Sequence, residues 1–447
     1  MKKVLIITAS LLLLAPVLVR AQVVSPTAVT PPTATAYGNG DSPTLDYFGQ
    51  AVPTNQFVFA TGYQFSYDDN VVALAGSSKK SDEVNDINAQ VKISHLGPRW
   101  TTSIEYVPFY EFYNEFSQYN RLNQHMVADI NAKLNQRWSL RIRDNFDDLT
   151  SPSGSSVNSG SGSPSGLNPS IFVPLAAEQG NNARVDLVWQ PNGRNSAFIY
   201  GSYENRDFTQ IITGGNNLIN TRGPNTGAEY TWLPSEHTAI GALYLFSRLD
   251  FSGALPVGSP ERLDIHGFLP SMGWRPSATM QITAFGGVEF ANQTIAPVTP
   301  STARTYKNQV LWAAGGSIAG QRNRTSWYIV PQRLVTDGGG YFSFVVSTSV
   351  NAAVRQQLPL PGRWDATINF LAAKNEAFAG QSNSLNLNAQ TASVGVEHLF
   401  TQSLRAQARY DFIHQTNSNS APINAEFDRN RVAVGIYYQW TAISQRR

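Results

Sequence analysis

Ile87-Asn88-Ala89-Gln90-Val91-Lys92-Ile93-Ser94 alternates apolar and polar residues without a break. Successive side chains of a strand point to opposite faces, so Ile87, Ala89, Val91 and Ile93 share one face and Asn88, Gln90, Lys92 and Ser94 the other. The period returns along the chain. Leu122, Met126, Ala128, Ile130, Ala132 and Leu134 oppose Asn123, His125, Asp129, Asn131 and Lys133. Leu404, Ala406, Ala408, Tyr410 and Phe412 oppose Ser403, Arg405, Gln407, Arg409 and Asp411, and Val432, Val434, Ile436, Tyr438 and Trp440 form one face of a last strand. One apolar and one polar face in strand after strand is what lipid outside and water inside require.

The breaks between these runs alternate in length. Short ones fall at Leu96–Arg99, Asn135–Arg137, Gln190–Arg194, Pro234–Glu236, Arg275–Ser277, Gln321–Arg324, Pro359–Arg363 and Thr401–Gln402. Longer ones lie between them, at Asp68–Asn85, Asn114–Asn120, Asp147–Asn181, Arg206–Gly223, Asp250–Glu261, Asn292–Lys307, Val335–Gly340, Asn375–Ser382 and Gln415–Glu426. Trp100, Trp138, Trp189, Trp232, Trp274, Trp327, Trp364 and Trp440 stand beside the short breaks or near the chain's end, as an aromatic belt at one membrane interface would. The pattern predicts an all-β chain: a transmembrane antiparallel up-and-down β-barrel of about eighteen strands, sixteen being the alternative count, with short periplasmic turns and long outer loops. Two stretches resist the alternation, Ser196–Tyr203 and Leu263–Leu269, which carry large residues on both faces. Around Gln390–Ser393 the apolar phase switches, which suggests a bulge.

Lys2 and Lys3 precede the apolar run Val4–Val19, which ends in Val19-Arg20-Ala21, so residues 1–21 read as a secretory signal peptide. Residues 22–50, rich in Pro, Thr, Ala and Gly, read as a flexible periplasmic segment, and 51–447 as the barrel. The address is then the outer membrane of a Gram-negative-type cell. The chain has no cysteine, which leaves no disulfide framework and no thiolate metal site. Its net charge of +2 gives no case for nucleic acid as partner. Charged residues are only 14%, low for a soluble chain of 447 residues and ordinary for one that hides its polar side in a lumen.

The candidate pore-lining residues are Asp129, Lys133, Arg141, Arg143, Arg184, Asp186, Arg405, Arg409 and Asp411, with Lys92, Glu105, Glu111, Glu229, Asp264, Glu289 and Asp365 beside them. They either pair with one another and solvate the wall or set the selectivity of a water-filled pore. Arg141 with Arg143, and Arg405 with Arg409, stand two and four positions apart, so each pair shares a face and could line a path for anionic or hydroxyl-rich solutes. The connection Asp147–Asn181 is Ser/Gly-rich and then apolar at Ile171-Phe172-Val173-Pro174-Leu175. It reads either as a surface loop or as an outer arm with an apolar tuck into the lumen. His125 and Asp129 share a face and could orient each other as a base and its orienting carboxylate, and His414-Gln415-Thr416-Asn417 resembles the His/Ser/Asn arrangement of the outer-membrane phospholipase, with Thr416 where the nucleophilic serine would stand. That substitution argues against an enzyme. Asp68-Asp69-Asn70 could hold calcium, but such a turn lacks the six or more oxygens needed. Neither a metal nor a cofactor is expected.

Thr61-Gly62-Tyr63-Gln64-Phe65-Ser66-Tyr67-Asp68-Asp69-Asn70 resembles the first strand of the beta-barrel porin 2 family of outer-membrane proteins, where an aromatic-Asp-Asn step ends that strand. Phe427-Asp428-Arg429-Asn430-Arg431-Val432-Ala433-Val434-Gly435-Ile436-Tyr437-Tyr438-Gln439-Trp440 is similar to its closing strand. The resemblance implies an association with exopolysaccharide export. The expected role is passage of small hydrophilic solutes, with an accessory barrel in polysaccharide export or a structural surface barrel as alternatives. The expected partners are outer-membrane lipids, the solute or polysaccharide, and the barrel-assembly machinery. That machinery reads a terminal aromatic, here followed by Thr441–Arg447, so the signal is internal at Tyr438/Trp440 or a tail is tolerated.

Overall fold

A computed structural model describes residues 55–72, 79–149, 171–172, 176–211, 218–253, 255, 259–295, 305–377, 386–417 and 426–443. The signal peptide and the segment 22–50 lie outside them, as does most of the connection Asp147–Asn181. The strands are β1 (Gln56–Asp68), β2 (Asp82–Leu96), β3 (Trp100–Tyr113), β4 (Arg121–Lys133), β5 (Trp138–Leu149), β6 (Ala176–Asn192), β7 (Asn195–Ile211), β8 (Ile219–Ser235) and β9 (Thr238–Gly253). They continue as β10 (Pro260–Ser277), β11 (Met280–Ile295), β12 (Thr305–Arg322), β13 (Thr325–Gly338), β14 (Phe342–Leu358), β15 (Arg363–Ala377), β16 (Asn386–Leu399), β17 (Leu404–Asn417) and β18 (Phe427–Ile443). Each pairs antiparallel with its neighbours in sequence, and β1 pairs with β18 from Gln56↔Ile443 to Asp68↔Arg431. The result is a closed barrel of eighteen strands. Closure leaves no sheet ends, which is how a sheet can stand in lipid.

The period of two sorts residues as the sequence requires. On β1, Phe57, Phe59, Tyr63 and Tyr67 are exposed on the outside, while Gln64, Ser66 and Asp68 are buried within. On β18, Val432, Val434, Ile436, Tyr438 and Trp440 are exposed together. At the closing seam Arg429 is ion-paired with Asp68, and Arg431 Nη2 donates to Asp86 Oδ2 at 3.0 Å. Asn430 donates from its backbone N–H and from Nδ2 to the Asp69 carboxylate, at 2.6 and 2.7 Å. The Asp68-Asp69-Asn70 turn is therefore a clasp between the first and last strands.

Three expectations are corrected. First, β16 keeps an unbroken register with both neighbours through Gln390–Ser393, so there is no bulge. Leu387 and Ala389 point inward into packed surroundings and Val394 outward, so the apolar face changes because what covers the inner face changes along the strand. Second, Val335–Gly340 is not a long outer loop: β13 runs to Gly338 and β14 begins at Phe342. Third, the lumen is not polar all round. Phe198 and Tyr200 of β7, Leu243 and Leu245 of β9 and Leu263 and Leu269 of β10 belong to one buried inner cluster, which explains the large residues on both faces of those strands.

Both faces of the β13–β14 tip are buried. Phe344 and Val346 pack on that cluster, with the Phe344 ring stacked 6.2 Å from Phe251 of β9. Phe342 and Val345 pack instead on Ile171 and Leu387. A strand buried on both faces lies inside the barrel rather than in its wall, and the Ile219 N–H donates across to Gly340 O at 2.8 Å. Gly339 and Gly340 allow this entry. Both have positive φ (60° and 89°), and a Cβ on either would meet Ile171 or Phe208 at 2.6 Å.

Candidate functional site

Inward positions of β4–β6 carry the first group of charges. In register, Asn131 faces Arg141 and Asp129 faces Arg143; Arg141 then faces Asp186 and Arg143 faces Arg184. Arg141 Nε lies 3.1 Å from both Asp129 oxygens, and Arg143 Nε lies 3.4 Å from Oδ2 of the same carboxylate. Arg184 Nε donates to Asp186 Oδ1 at 2.6 Å, and its guanidinium lies 4.2 Å from the centre of the Tyr200 ring. Lys133 stands exposed at the short-turn end. The strip therefore holds three arginines and a lysine against two aspartates, a net positive surface of partly paired groups. Each guanidinium carries five N–H donors in a fixed fork, more than one carboxylate takes up.

The second group lies on β16 and β17. Arg409 Nε donates to Asp411 Oδ1 at 2.6 Å, Arg405 Nη1 lies 3.7 Å from Glu397 Oε2, and the Arg405 guanidinium sits 5.2 Å from the centre of the Tyr437 ring. Between the two groups the inner wall carries neutral amides and three ion pairs: Gln407 Nε2 donates to the Tyr437 hydroxyl at 2.8 Å, Lys92 pairs with Glu105 at 3.1 Å, and the seam pairs Arg429–Asp68 and Arg431–Asp86 are buried. The inner side chains Asp129, Arg141, Glu397 and Arg405 keep between a quarter and two fifths of their surface exposed. Asp365 pairs with Arg355 at 3.5 Å.

Asp264 belongs elsewhere. It neighbours the buried inward residues Leu263 and Ile265, so it points outward, where Arg248 Nε donates to it at 2.7 Å. His125 and Asp129 do not orient each other: His125 Nδ1 is hydrogen-bonded to Asp147 at 2.5 Å, and Asp129 is taken by the arginines. His414 is bonded to Asp428. Glu111 accepts from Asn123 at 2.8 Å, Glu229 accepts from Thr231 at 3.2 Å, and Glu289 is buried.

Two inserted pieces stand inside the barrel. Of the connection after β5, Ile171 is buried against Phe342, Val345 and Leu387, and Phe172 packs by Ile413 and Phe427. Gln415 holds Phe172 at both backbone groups, accepting from its N–H at 2.9 Å and donating to its carbonyl at 3.1 Å. A segment that leaves β5 thus reaches β14, β16, β17 and β18, which is the apolar tuck into the lumen. The other piece is the β13–β14 tip. Arg206 of β7 fixes it: Nη1 donates to Asp337 Oδ2 at 2.9 Å, and Nε lies 2.9 Å from Glu178 Oε1 of β6. Tyr341, in the turn, is buried, which pushes its phenol above the ordinary tyrosine range. The sequence reading missed Arg206, Glu178 and Asp337. One signal was present: Phe342-Ser343-Phe344-Val345-Val346 is largely apolar on both faces and follows Gly338-Gly339-Gly340, the mark of a strand covered on both sides.

The eight tryptophans named above all stand at the short-turn ends of their strands, and Trp138 lies opposite Trp189 across β5 and β6. Trp312, the ninth, is on the outer face of β12 away from that row.

No protein-family model matches the chain, and no curated protein matches it in sequence. The likeness to beta-barrel porin 2 stays with the two end strands that carry it. Among solved structures, the chain is similar to OccK2 (OpdF) of Pseudomonas aeruginosa, with 10% identity and a TM-score of 0.44 over 87% of this chain and 99% of that one. It is similar to the outer membrane protein OpdK of Pseudomonas aeruginosa (9%, 0.42, 87% and 99%). A BenF-like porin of Pseudomonas fluorescens Pf-5 is a third (12%, 0.42, 87% and 99%).

Proposed function

We propose that the chain is an outer-membrane channel that passes small hydrophilic solutes along the polar side of its lumen. The observation that carries this reading is the pair of charged inner strips, on β4–β6 and on β16–β17, in each of which one ion pair, Arg141–Asp129 and Arg405–Glu397, remains partly open to water while Arg184–Asp186 and Arg409–Asp411 are mostly buried. Buried ion pairs that only held the wall together would be dry. Partly exposed ones instead set the potential that a passing solute meets. The arginines favour anionic and hydroxyl-rich solutes, which they engage in a fork. The inserted tip of β13–β14 and the Ile171–Phe172 segment, which packs on β16, β17 and β18, narrow the path. Outer-membrane lipid covers the outward apolar face, and the tryptophan row marks its periplasmic edge.

Single-channel recording in planar bilayers tests the reading: stepwise conductance is expected, and silence from correctly folded protein overturns it. Selectivity gives a sharper measure. Arg405→Glu with Arg409→Glu changes the local charge by about two units per site. In a tenfold salt gradient the reversal potential then moves towards the roughly 59 mV limit of a cation-selective pore. The shift is larger at low salt, where screening is weaker. An unchanged potential removes these arginines from the conducting path.

A further inference from the structure

The wall has a fork. β12 pairs with β11 along its whole length, from Met280↔Gly320 to Ile295↔Thr305. With β13 it pairs only from Arg322↔Thr325 up to Ala314↔Arg333. Above that point β13 leaves the wall and enters the lumen with β14. Its backbone marks the departure, since the Val335 N–H donates to Glu289 Oε2 on the inner side of β11 at 3.3 Å. β14 keeps β13 on one side and β15 on the other, with pairing to β15 reaching Val345↔Ala377. Among the described residues, therefore, no strand pairs with positions 305–313 of β12 on the side that β13 vacates.

An unpaired strand edge facing hydrocarbon is costly, so the fork calls for an explanation. The side chains around it supply one. Tyr306 and Val310 are the most exposed large apolar side chains among the described residues, at 70% and 65%, and Trp312 follows at 59%. They stand on the outer face of the unpaired stretch. On its inner face, Leu311 and Ala313 join the buried cluster that holds Leu334 and Phe344. Apolar surface is thus continuous from Val310 and Trp312 on the membrane side, through the fork, to Leu311 and Ala313 inside, while Lys307, Asn308 and Gln309 make the stretch above it polar. At the foot of the fork the Arg333 guanidinium lies 4.5 Å from the centre of the Trp312 ring and donates to Thr348 Oγ1 at 2.8 Å.

We infer that the fork between β12 and β13 is a lateral opening, through which the acyl chain of a single-chain amphiphile enters the barrel wall from the membrane. The chemistry that recognises it is apolar contact on Leu311, Ala313 and Trp312, with the Arg333 guanidinium, paired with Glu376, at the foot of the fork and Lys307 above it. A protein strand laid on the β12 edge is the competing occupant.

The chain has no cysteine, so single-cysteine variants of the full protein in liposomes carry one reactive site each. Leu311→Cys and Ala313→Cys report on the fork. Ala291→Cys stands on the inner face of β11, which is paired on both sides, and Val288→Cys stands on its lipid face. N-dodecylmaleimide dissolved in the bilayer should label Leu311→Cys at least about tenfold faster than Ala291→Cys, within about tenfold of Val288→Cys. Decanoic acid should slow that labelling. Ala313→Cys repeats the measurement should Leu311→Cys fail to fold. Labelling of the fork positions no faster than Ala291→Cys overturns the inference, as does labelling by a charged maleimide from water alone. Dimers cross-linked through position 311 overturn it in favour of the strand occupant. The labelling does not depend on conductance, so this inference and the channel reading fail separately.

Discussion

Arg206 holds the inserted hairpin to the wall. Its side chain is almost wholly buried between Glu178 and Asp337, and Coulomb attraction in such surroundings is strong only while both partners remain. Arg206→Met fits the space but leaves two buried carboxylates without their cation, a loss of about 3–5 kcal/mol. We expect the tip to leave its seat. In a Tyr341→Cys background a water-soluble maleimide should then react faster, and mean conductance should rise. Slow labelling in folded Arg206→Met protein would mean that Phe344 and Val345 hold the tip by packing alone. Little of this was legible in the sequence. Arg206, Glu178 and Asp337 are 28 and 131 positions apart along the chain, and no spacing rule joins them. The charged strips were more legible, because a period of two fixes which residues face inward. What it leaves open is the partner: His125 found Asp147 across the strand pair, not Asp129 on its own strand.

At the scale of the strand, sidedness makes a prediction that separates neighbours three positions apart. Ala128 faces lipid and Asn131 the lumen. Ala128→Arg should cost about 2–4 kcal/mol near the bilayer midplane, whereas Asn131→Arg keeps its charge in water. The folded fraction, read from the gel shift between heated and unheated samples, should drop for the first and stay near wild type for the second. Equal loss would reverse the assignment of the two faces. Strands such as β2, β4, β17 and β18 were readable because apolar residues line the outer face and mostly polar residues the inner one over the stretches that alternate. β9, β10, β14 and β16 were harder for one physical reason. Their inner faces meet packed side chains over part of their length, so apolar residues appear on both sides and alternation fades. The pattern reports polarity of surroundings, and an inward-folded hairpin changes those surroundings without changing the strand.

For the whole molecule, the alternation of turns sets an orientation. With the short turns and their tryptophans in the periplasm, Glu115→Cys in an outer connection should react with an impermeant maleimide on intact cells, and Gln136→Cys in a short turn only after permeabilisation. Labelling of Gln136→Cys on intact cells would invert the barrel. The count of eighteen strands and the antiparallel order were readable from turn spacing, whereas the fork and the filled half of the lumen depend on contacts between strands far apart in sequence. The clasp between β1 and β18 has one more consequence, and it concerns timing. Each hairpin can pair as soon as its two strands exist, but Asp68 and Arg429 are separated by 361 positions. Long-range pairings of this kind form slowly, because a large loop must close before any contact rewards it. We expect the ring to close at this seam, where pairing takes Asp68, Asp86, Arg429 and Arg431 out of water. Their desolvation belongs to the final step of assembly, so changes at the clasp should slow completion of the barrel while earlier hairpins form on schedule.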